Sequence, residues 1–231
     1  VLTGGAVNAR SPAGICYLPS KVQVKNLDSL KGLTMGGGSA SPVQNVVPAW
    51  LELNGKPKDF IHLLRMDPAV VDASLIEGKI DLAECWRASN RATIRKQAAA
   101  AGVQVAWIEY SDYGLDNYGS GLATTEDIIA KRPDMVRKFL KATYRGYASA
   151  IANPEKAADV IVKVYPAVDR GVALEQIQDI NDLIVDPKVK DRGLGYLRDD
   201  RIRSTVSFVD KAYGLNGKIR AEDVYTDDLL K

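Results

Sequence analysis

Apolar positions along this chain follow two rhythms. Short runs at Leu30 to Met35, Phe60 to Leu64 and Ile80 to Ala83 read as strands, and Val103 to Tyr110 alternates as a fourth. Helical stripes lie between them. Val43, Val46, Val47, Trp50 and Leu51 share one helix face; Ser41 caps that helix, Pro42 starts it and Gly55 ends it. A second helix opens at Pro68 and closes at Gly78, and a third covers about residues 88 to 101 before Gly102. A further short apolar run, Gly14 to Leu18, is closed by Pro19. Strand and helix repeating in this way predict an α/β unit with a largely parallel sheet.

Beyond Tyr113 the pattern turns helical. Thr124 or Thr125 caps a short helix, and Pro133 opens a long one with Val136, Phe139, Leu140, Thr143, Tyr144, Tyr147 and Ile151 on one face. Asn153-Pro154 breaks it, and Ala157, Ala158, Ile161, Val162 and Tyr165 continue as a new helix. Leu174, Ile177 and Ile184 mark another; Ile202, Val206, Val209 and Tyr213 mark the last, stopped by Gly214. Such stripes need a sheet or another domain to cover. The expectation is that the strands they covered precede Val1 and are absent from this chain. Val1 is not a methionine, no signal peptide is present, and the opening residues read like the middle of a domain, as in a processed or trimmed product.

Composition narrows the function classes. A chain of 231 residues with 46% hydrophobic and 26% charged content fits a soluble globular protein. The net charge is +2 and its signs are well mixed, with no basic block, so nucleic acid is not an expected partner. No apolar stretch reaches membrane-spanning length. The single histidine, His62, reads as a packed or edge residue, and a lone histidine excludes a multi-histidine metal site within the chain. No cofactor is expected. The two cysteines, Cys16 and Cys85, make no disulfide framework and no zinc pattern; a bridge is possible, and two free thiols are the expectation.

Three constellations carry candidate chemistry. The first is Leu33-Thr34-Met35-Gly36-Gly37-Gly38-Ser39-Ala40-Ser41-Pro42, read as a strand entering a helix through a bare-backbone turn. Unpaired N–H groups, hydroxyls and the positive helix end suit the polar end of a small molecule. P-loop lysine and dinucleotide glycine spacing are both missing, so nucleotide phosphate is unsupported. The second is Glu84-Cys85-Trp86-Arg87, read as lying just past a strand on the same sheet edge, where ligands of open α/β sheets bind. The third is Tyr110, Tyr113 and Tyr118 with Gly114 and Gly119, read as a linker or hinge with a tyrosine lining a cleft.

These pieces together resemble a family. Leu27-Asp28-Ser29-Leu30-Lys31-Gly32 before a strand and a Gly/Ser turn, Leu75 to Ala83 around Gly78 and Asp81, Lys131 to Thr143 with its Pro-Asp and Lys-Phe-Leu, and Ala150 to Ala158 around Asn153-Pro154 resemble segments of periplasmic substrate-binding proteins of ABC importers. The similar subgroup serves thiamine-pyrimidine precursors, riboflavin, taurine, other sulfonates and nitrate. The resemblance implies the two-lobed type II periplasmic-binding architecture. One complete α/β lobe would cover residues 20–112. Residues 1–19 and 113–231 would supply hinge crossings, at Ala13 to Pro19 and Tyr113 to Leu122, and the helix-rich remainder of the other lobe. It implies ligand contacts from Gly38, Ser39, Ala40, Ser41, Glu84, Trp86 and Tyr113. It further implies an ABC transporter permease as partner, a monomer, and a periplasmic or lipid-anchored extracytoplasmic location. The opening strands and helices that build most of the family's first lobe have no counterpart here.

The leading expectation is a non-catalytic solute-binding protein. The Glu84 and Trp86 pair favours a flat heteroaromatic such as a thiamine-precursor pyrimidine over a nitrate or sulfonate. Two other readings stay open: an enzyme on the same fold, for C–S bond cleavage with Cys85 as its nucleophile candidate or for pyrimidine synthesis, and a ligand-sensing domain of a receptor.

Overall fold

The computed structural model describes residues 2–39, 41–188 and 190–230. In chain order the elements are β1 (Leu2–Ala6), β2 (Ala13–Tyr17), β3 (Thr34–Gly38), α1 (Val43–Leu53), β4 (His62–Met66), α2 (Pro68–Ile76), β5 (Leu82–Trp86), α3 (Asn90–Ala100), β6 (Ala106–Glu109) and β7 (Gly121–Ala123). They are followed by α4 (Glu126–Lys131), α5 (Pro133–Ala152), α6 (Pro154–Val164), α7 (Arg170–Ile184) and α8 (Asp199–Tyr213). Two compact units result. One runs up to Pro12, over Asp116–Asp210 and on from Gly214; the other is Ala13–Leu115 with Lys211–Tyr213.

The unit beginning at Ala13 is an α/β layer structure on a five-stranded sheet of order β4-β3-β5-β2-β6. β4, β3 and β5 are parallel, while β2 runs antiparallel to both of its neighbours. The sheet is therefore mixed, where the strand-helix rhythm predicts a largely parallel one. Ala13–Tyr17, expected as a hinge crossing outside the lobe, sits between β5 and β6 inside this sheet. Its first four residues are buried, as suits a strand covered on both faces.

The cysteines correct a second expectation. Cys16 pairs opposite Ala83 and Cys85 opposite Gly14, so the two side chains are diagonal neighbours on one face of adjacent strands. Their Cα atoms are 5.3 Å apart and they form a disulfide instead of two free thiols. The bridge is buried among Leu18, Val71, Leu75, Ile80 and Ile94. His62 is exposed on the edge strand β4, which starts two residues later than the apolar run because Phe60 and Ile61 turn into the core instead.

The other unit is mostly helical. Val136, Leu140 and Tyr144 of α5 pack with Ile184 and Leu229, and the Tyr144 hydroxyl donates to the carbonyl of Ala6 at 3.0 Å. Phe139, predicted on the same stripe, is 58% exposed, because the buried line follows residues spaced four apart. β1 and β7 pair as a two-stranded antiparallel sheet. Thr125 caps α4, Asn153 caps α6, and Gly214 ends α8 at a φ of 62°, a left-handed conformation that glycine adopts without strain. No helix among the described residues is long and apolar enough to cross a membrane.

Candidate functional site

β3 and β5 lie side by side and parallel, and each is followed by a helix on a different face of the sheet. A side chain added at Gly37 would meet Val43 of α1, whereas one added at Gly36 would meet Ile80 and Val71 of α2. Ile94 of α3 packs in the same cluster as Val71 and Leu75. The chain thus leaves β3 towards one face and β5 towards the other. Adjacent parallel strands with diverging connections form the crevice where open α/β sheets hold ligands.

The glycines are not a turn. Gly36 to Gly38 are the last residues of β3, in extended backbone, and the turn follows at Ser39. Packing crowds these glycines from both sides. A Cβ at Gly36 would lie 2.6 Å from Ile80 Cδ1 and 2.7 Å from Met66 Sδ, and one at Gly38 would lie 3.1 Å from Pro68 Cγ and 3.2 Å from Glu84 Oε1. Bare backbone here lets helices and the Glu84 carboxylate approach the strand closely.

Glu84 lies within β5, opposite Ile15, and not beyond the strand as the sequence predicts. β5 starts later than its apolar run because Asp81 is spent on the strand entry, where its carboxylate accepts from the Thr34 N–H at 2.9 Å. The Glu84 side chain reaches across to the end of β3. Oε1 accepts from the Gly38 N–H at 3.0 Å, and Oε2 accepts from the Ser41 hydroxyl. Ser41 Oγ in turn accepts from the Val43 N–H at 3.2 Å. Ser41 therefore serves the first N–H of α1 from one residue further out than a cap proper, since Pro42 occupies the N-cap position. The donors that the sequence offers to a ligand's anionic end are held instead by the protein's own carboxylate, at the positive end of a helix.

Asn90 fixes the neighbouring turn. Its Oδ1 accepts from the Trp86 N–H at 2.8 Å, and its Nδ2 donates to the Glu84 carbonyl at 3.1 Å and to Asp72 Oδ1 at 3.2 Å. Burial raises the Asp72 carboxyl above its ordinary value; the Asn90 hydrogen bond opposes this and the Glu84 charge adds to it. Ala88, between Trp86 and Asn90, has a φ of 63°. A non-glycine residue in that region is strained, and such strain gathers at ligand-contacting turns. Trp86 is half-buried and shares its strand face with Glu84 two residues earlier.

The other predicted residues divide. Ser39 is exposed, its N–H bound to the Met66 carbonyl at 2.9 Å, and Ala40 lies outside the described residues. Gly38, Ser41, Glu84 and Trp86 gather at the β3–β5 edge. Tyr113 does not join them. Its carbonyl accepts from Asn54, the residue ending α1, at 3.0 Å, and its ring meets Trp50 edge-on with centroids 6.1 Å apart. The 3-10 turn at Tyr110–Tyr113 carries it back along α1, away from that helix's start. Arg87 is engaged with Glu109 at 3.8 Å, where Arg91 also binds at 3.3 Å. Cys85 is 2% exposed and bridged, so it offers no thiolate as a nucleophile.

Sequence reasoning misses Asp72 and Asn90, which look like ordinary solvated helix residues until β5 is placed between their helices. Tyr110 is visible in the sequence only as one of several tyrosines. It is 1% exposed, packs tilted against Trp50 with centroids 4.6 Å apart, and its hydroxyl has no hydrogen-bond partner among the described residues. Burial, with a contribution from the Glu84 charge, pushes its phenol far above the usual range. Among the described residues no group of three or more His, Cys, Asp or Glu side chains is arranged to hold a metal ion.

This sheet, its crossover helices and the second, helical unit define the fold of periplasmic binding proteins. The alkanesulfonate-binding protein SsuA from Xanthomonas axonopodis pv. citri, bound to MOPS, superposes with a TM-score of 0.67 at 14% identity, over 98% of this chain and 73% of that one. The desulfurization enzyme DSZB gives 0.60 at 14% identity over 98% of this chain and 76% of that one. A family model described as NMT1/THI5 like matches residues 1–157, and the chain belongs to that family. The riboflavin-binding protein RibY of Chloroflexus aurantiacus is 26% identical over 161 residues, covering 68% of this chain and 44% of its own length. The curated relatives it matches are thus covered over only 44 to 62% of their length.

Proposed function

We propose that this chain is a solute-binding component of an ABC importer that captures a small nitrogen heteroaromatic, such as a thiamine-precursor pyrimidine, at the β3–β5 edge. One observation carries the reading: a carboxylate fixed by Gly38 and Ser41 stands on the same strand face as a half-exposed tryptophan. A carboxylate accepts hydrogen bonds from ring amino groups, and an indole face stacks on a flat ring. Family membership and relatives named for riboflavin and alkanesulfonates support small organic solutes as the ligand class. The buried disulfide suits an oxidising compartment such as the periplasm, with a permease as partner. The reading is of a monomeric protein that binds without turnover, and the bridged Cys85 removes the nucleophile that C–S cleavage at this edge needs.

A thermal-denaturation screen tests it. The chain is heated with aminopyrimidines, flavins, sulfonates, amino acids and aromatic acids. A ligand at a hundred times its Kd adds about 2.7 kcal/mol, which for a chain of this size raises Tm by roughly 5 °C or more. At least one nitrogen heteroaromatic is expected to do so saturably. No saturable shift from any compound contradicts the reading.

A further inference from the structure

The feature that sets this edge apart is who occupies its donors. Between the end of β3 and the start of α1, the Gly38 N–H and the Ser41 hydroxyl converge on one point, the pair that would grip an anionic oxygen. Both are already bonded to Glu84. A second carboxyl, Asp72, is linked to the Glu84 backbone through Asn90, whose Nδ2 donates to both, and among the described residues no ion pair engages either carboxylate. Among the described residues, then, the Glu84 carboxylate is fixed in place by two neutral donors and not by an ion pair.

We propose that Glu84 sets the charge selectivity of this site: it fills the place of a ligand's anionic group, so the edge admits neutral or cationic nitrogen bases and rejects sulfonates. This rests on the binding-protein reading above and assigns its discriminating residue. A sulfonate arriving here meets a carboxylate bonded to the donors it needs, and like charges at contact are repelled. A ring amino group meets an oriented acceptor whose own hydrogen bonds hold it in position. The carbonyl oxygen of a glutamine retains the shape and one acceptor but carries no charge. Its carbonyl oxygen can keep the Gly38 N–H, and its amide nitrogen can only donate to Ser41 Oγ, so the Ser41 hydroxyl turns from donor to acceptor.

Isothermal titration of the 231-residue chain with 4-amino-5-hydroxymethyl-2-methylpyrimidine and, separately, with MOPS tests this, using the unaltered protein, Glu84→Gln and Ser41→Ala, each checked for folding by circular dichroism. The unaltered protein is expected to bind the pyrimidine and to give no heat with MOPS. Glu84→Gln is expected to weaken the pyrimidine by about tenfold to a hundredfold, the worth of a hydrogen bond to a charged group, and to reduce the discrimination against MOPS. Ser41→Ala, which leaves the charge in place, is expected to keep the preference for the pyrimidine. Pyrimidine binding unchanged in Glu84→Gln, or MOPS binding by the unaltered protein, overturns the assignment of Glu84 and leaves the binding-protein reading standing. A folded, unaltered protein that binds neither probe overturns the pyrimidine reading and this assignment together.

Discussion

Replacing Asp186 by alanine is expected to cost about 3–5 kcal/mol of folding stability, the loss typical of breaking a buried ion pair from one side. Asp186 sits in the helical unit with its side chain 4% exposed, and its Oδ2 receives Arg198 at 3.1 Å and Arg201 at 3.2 Å. Those guanidiniums are 9% and 6% exposed. Arg201 also donates to the Ala9 carbonyl and pairs with Asp116 at 2.7 Å, and the Arg198 N–H donates to the Tyr118 hydroxyl at 2.6 Å. One buried carboxylate therefore bridges two buried guanidiniums that hold the segments around Ala9 and Asp116–Tyr118. Without it, both charges stay buried, Arg198 with only the exposed carboxylate of Asp200 beside it and Arg201 with only that of Asp116. The comparison is Asp116→Ala, whose carboxylate is 58% exposed; it is expected to cost no more than about 1 kcal/mol. Urea unfolding of the two variants measures the difference, and equal losses contradict this account of the cluster.

Removal of the Cys16–Cys85 bridge is expected to cost a similar amount. The bridge closes a loop with a sequence separation of 69 residues, for which chain entropy alone gives about 4 kcal/mol. It also ties β2 to β5, the strand bearing Glu84. The expected result is a lower unfolding midpoint in a reducing agent, reproduced by a Cys16→Ala, Cys85→Ala double variant that is itself insensitive to reduction. Thiol titration in denaturant is expected to find no free thiol before reduction and both cysteines after it. Two reactive thiols in the untreated, oxidised protein contradict the bridge.

Local signals carry most of the helical architecture. Ser41, Pro68, Pro133, Asn153 and Gly214 mark helix ends within a residue or two of where the sequence puts them, because caps and prolines act through their own backbone. What the sequence hides is pairing between distant segments. The run at Gly14 to Leu18 looks the same whether it crosses a hinge or lies between two strands, and only its register against β5 and β6 decides. That same register creates the disulfide, which no spacing of two cysteines reveals. Gly36 to Gly38 advertise a turn, yet they answer to Val43, Ile80 and Pro68 pressing from both faces. The site is half legible. Gly38, Ser41, Glu84 and Trp86 meet because β3 and β5 are neighbours, as an α/β reading requires. Tyr113 lies apart from these four because a 3-10 turn after β6 sends it along α1. Asp186, Arg198 and Arg201 pass for solvated charges because nothing local marks a residue as buried.

The most direct test of the β3–β5 edge as the binding site is a two-dimensional amide NMR titration of the isotope-labelled chain with the aminopyrimidine. The account predicts saturable shifts centred on Gly37, Gly38, Ser39, Trp86 and Asn90, together with the Trp86 indole N–H. Shifts confined to α5 through α8, with the Gly38 and Trp86 amides unmoved at saturation, would contradict it.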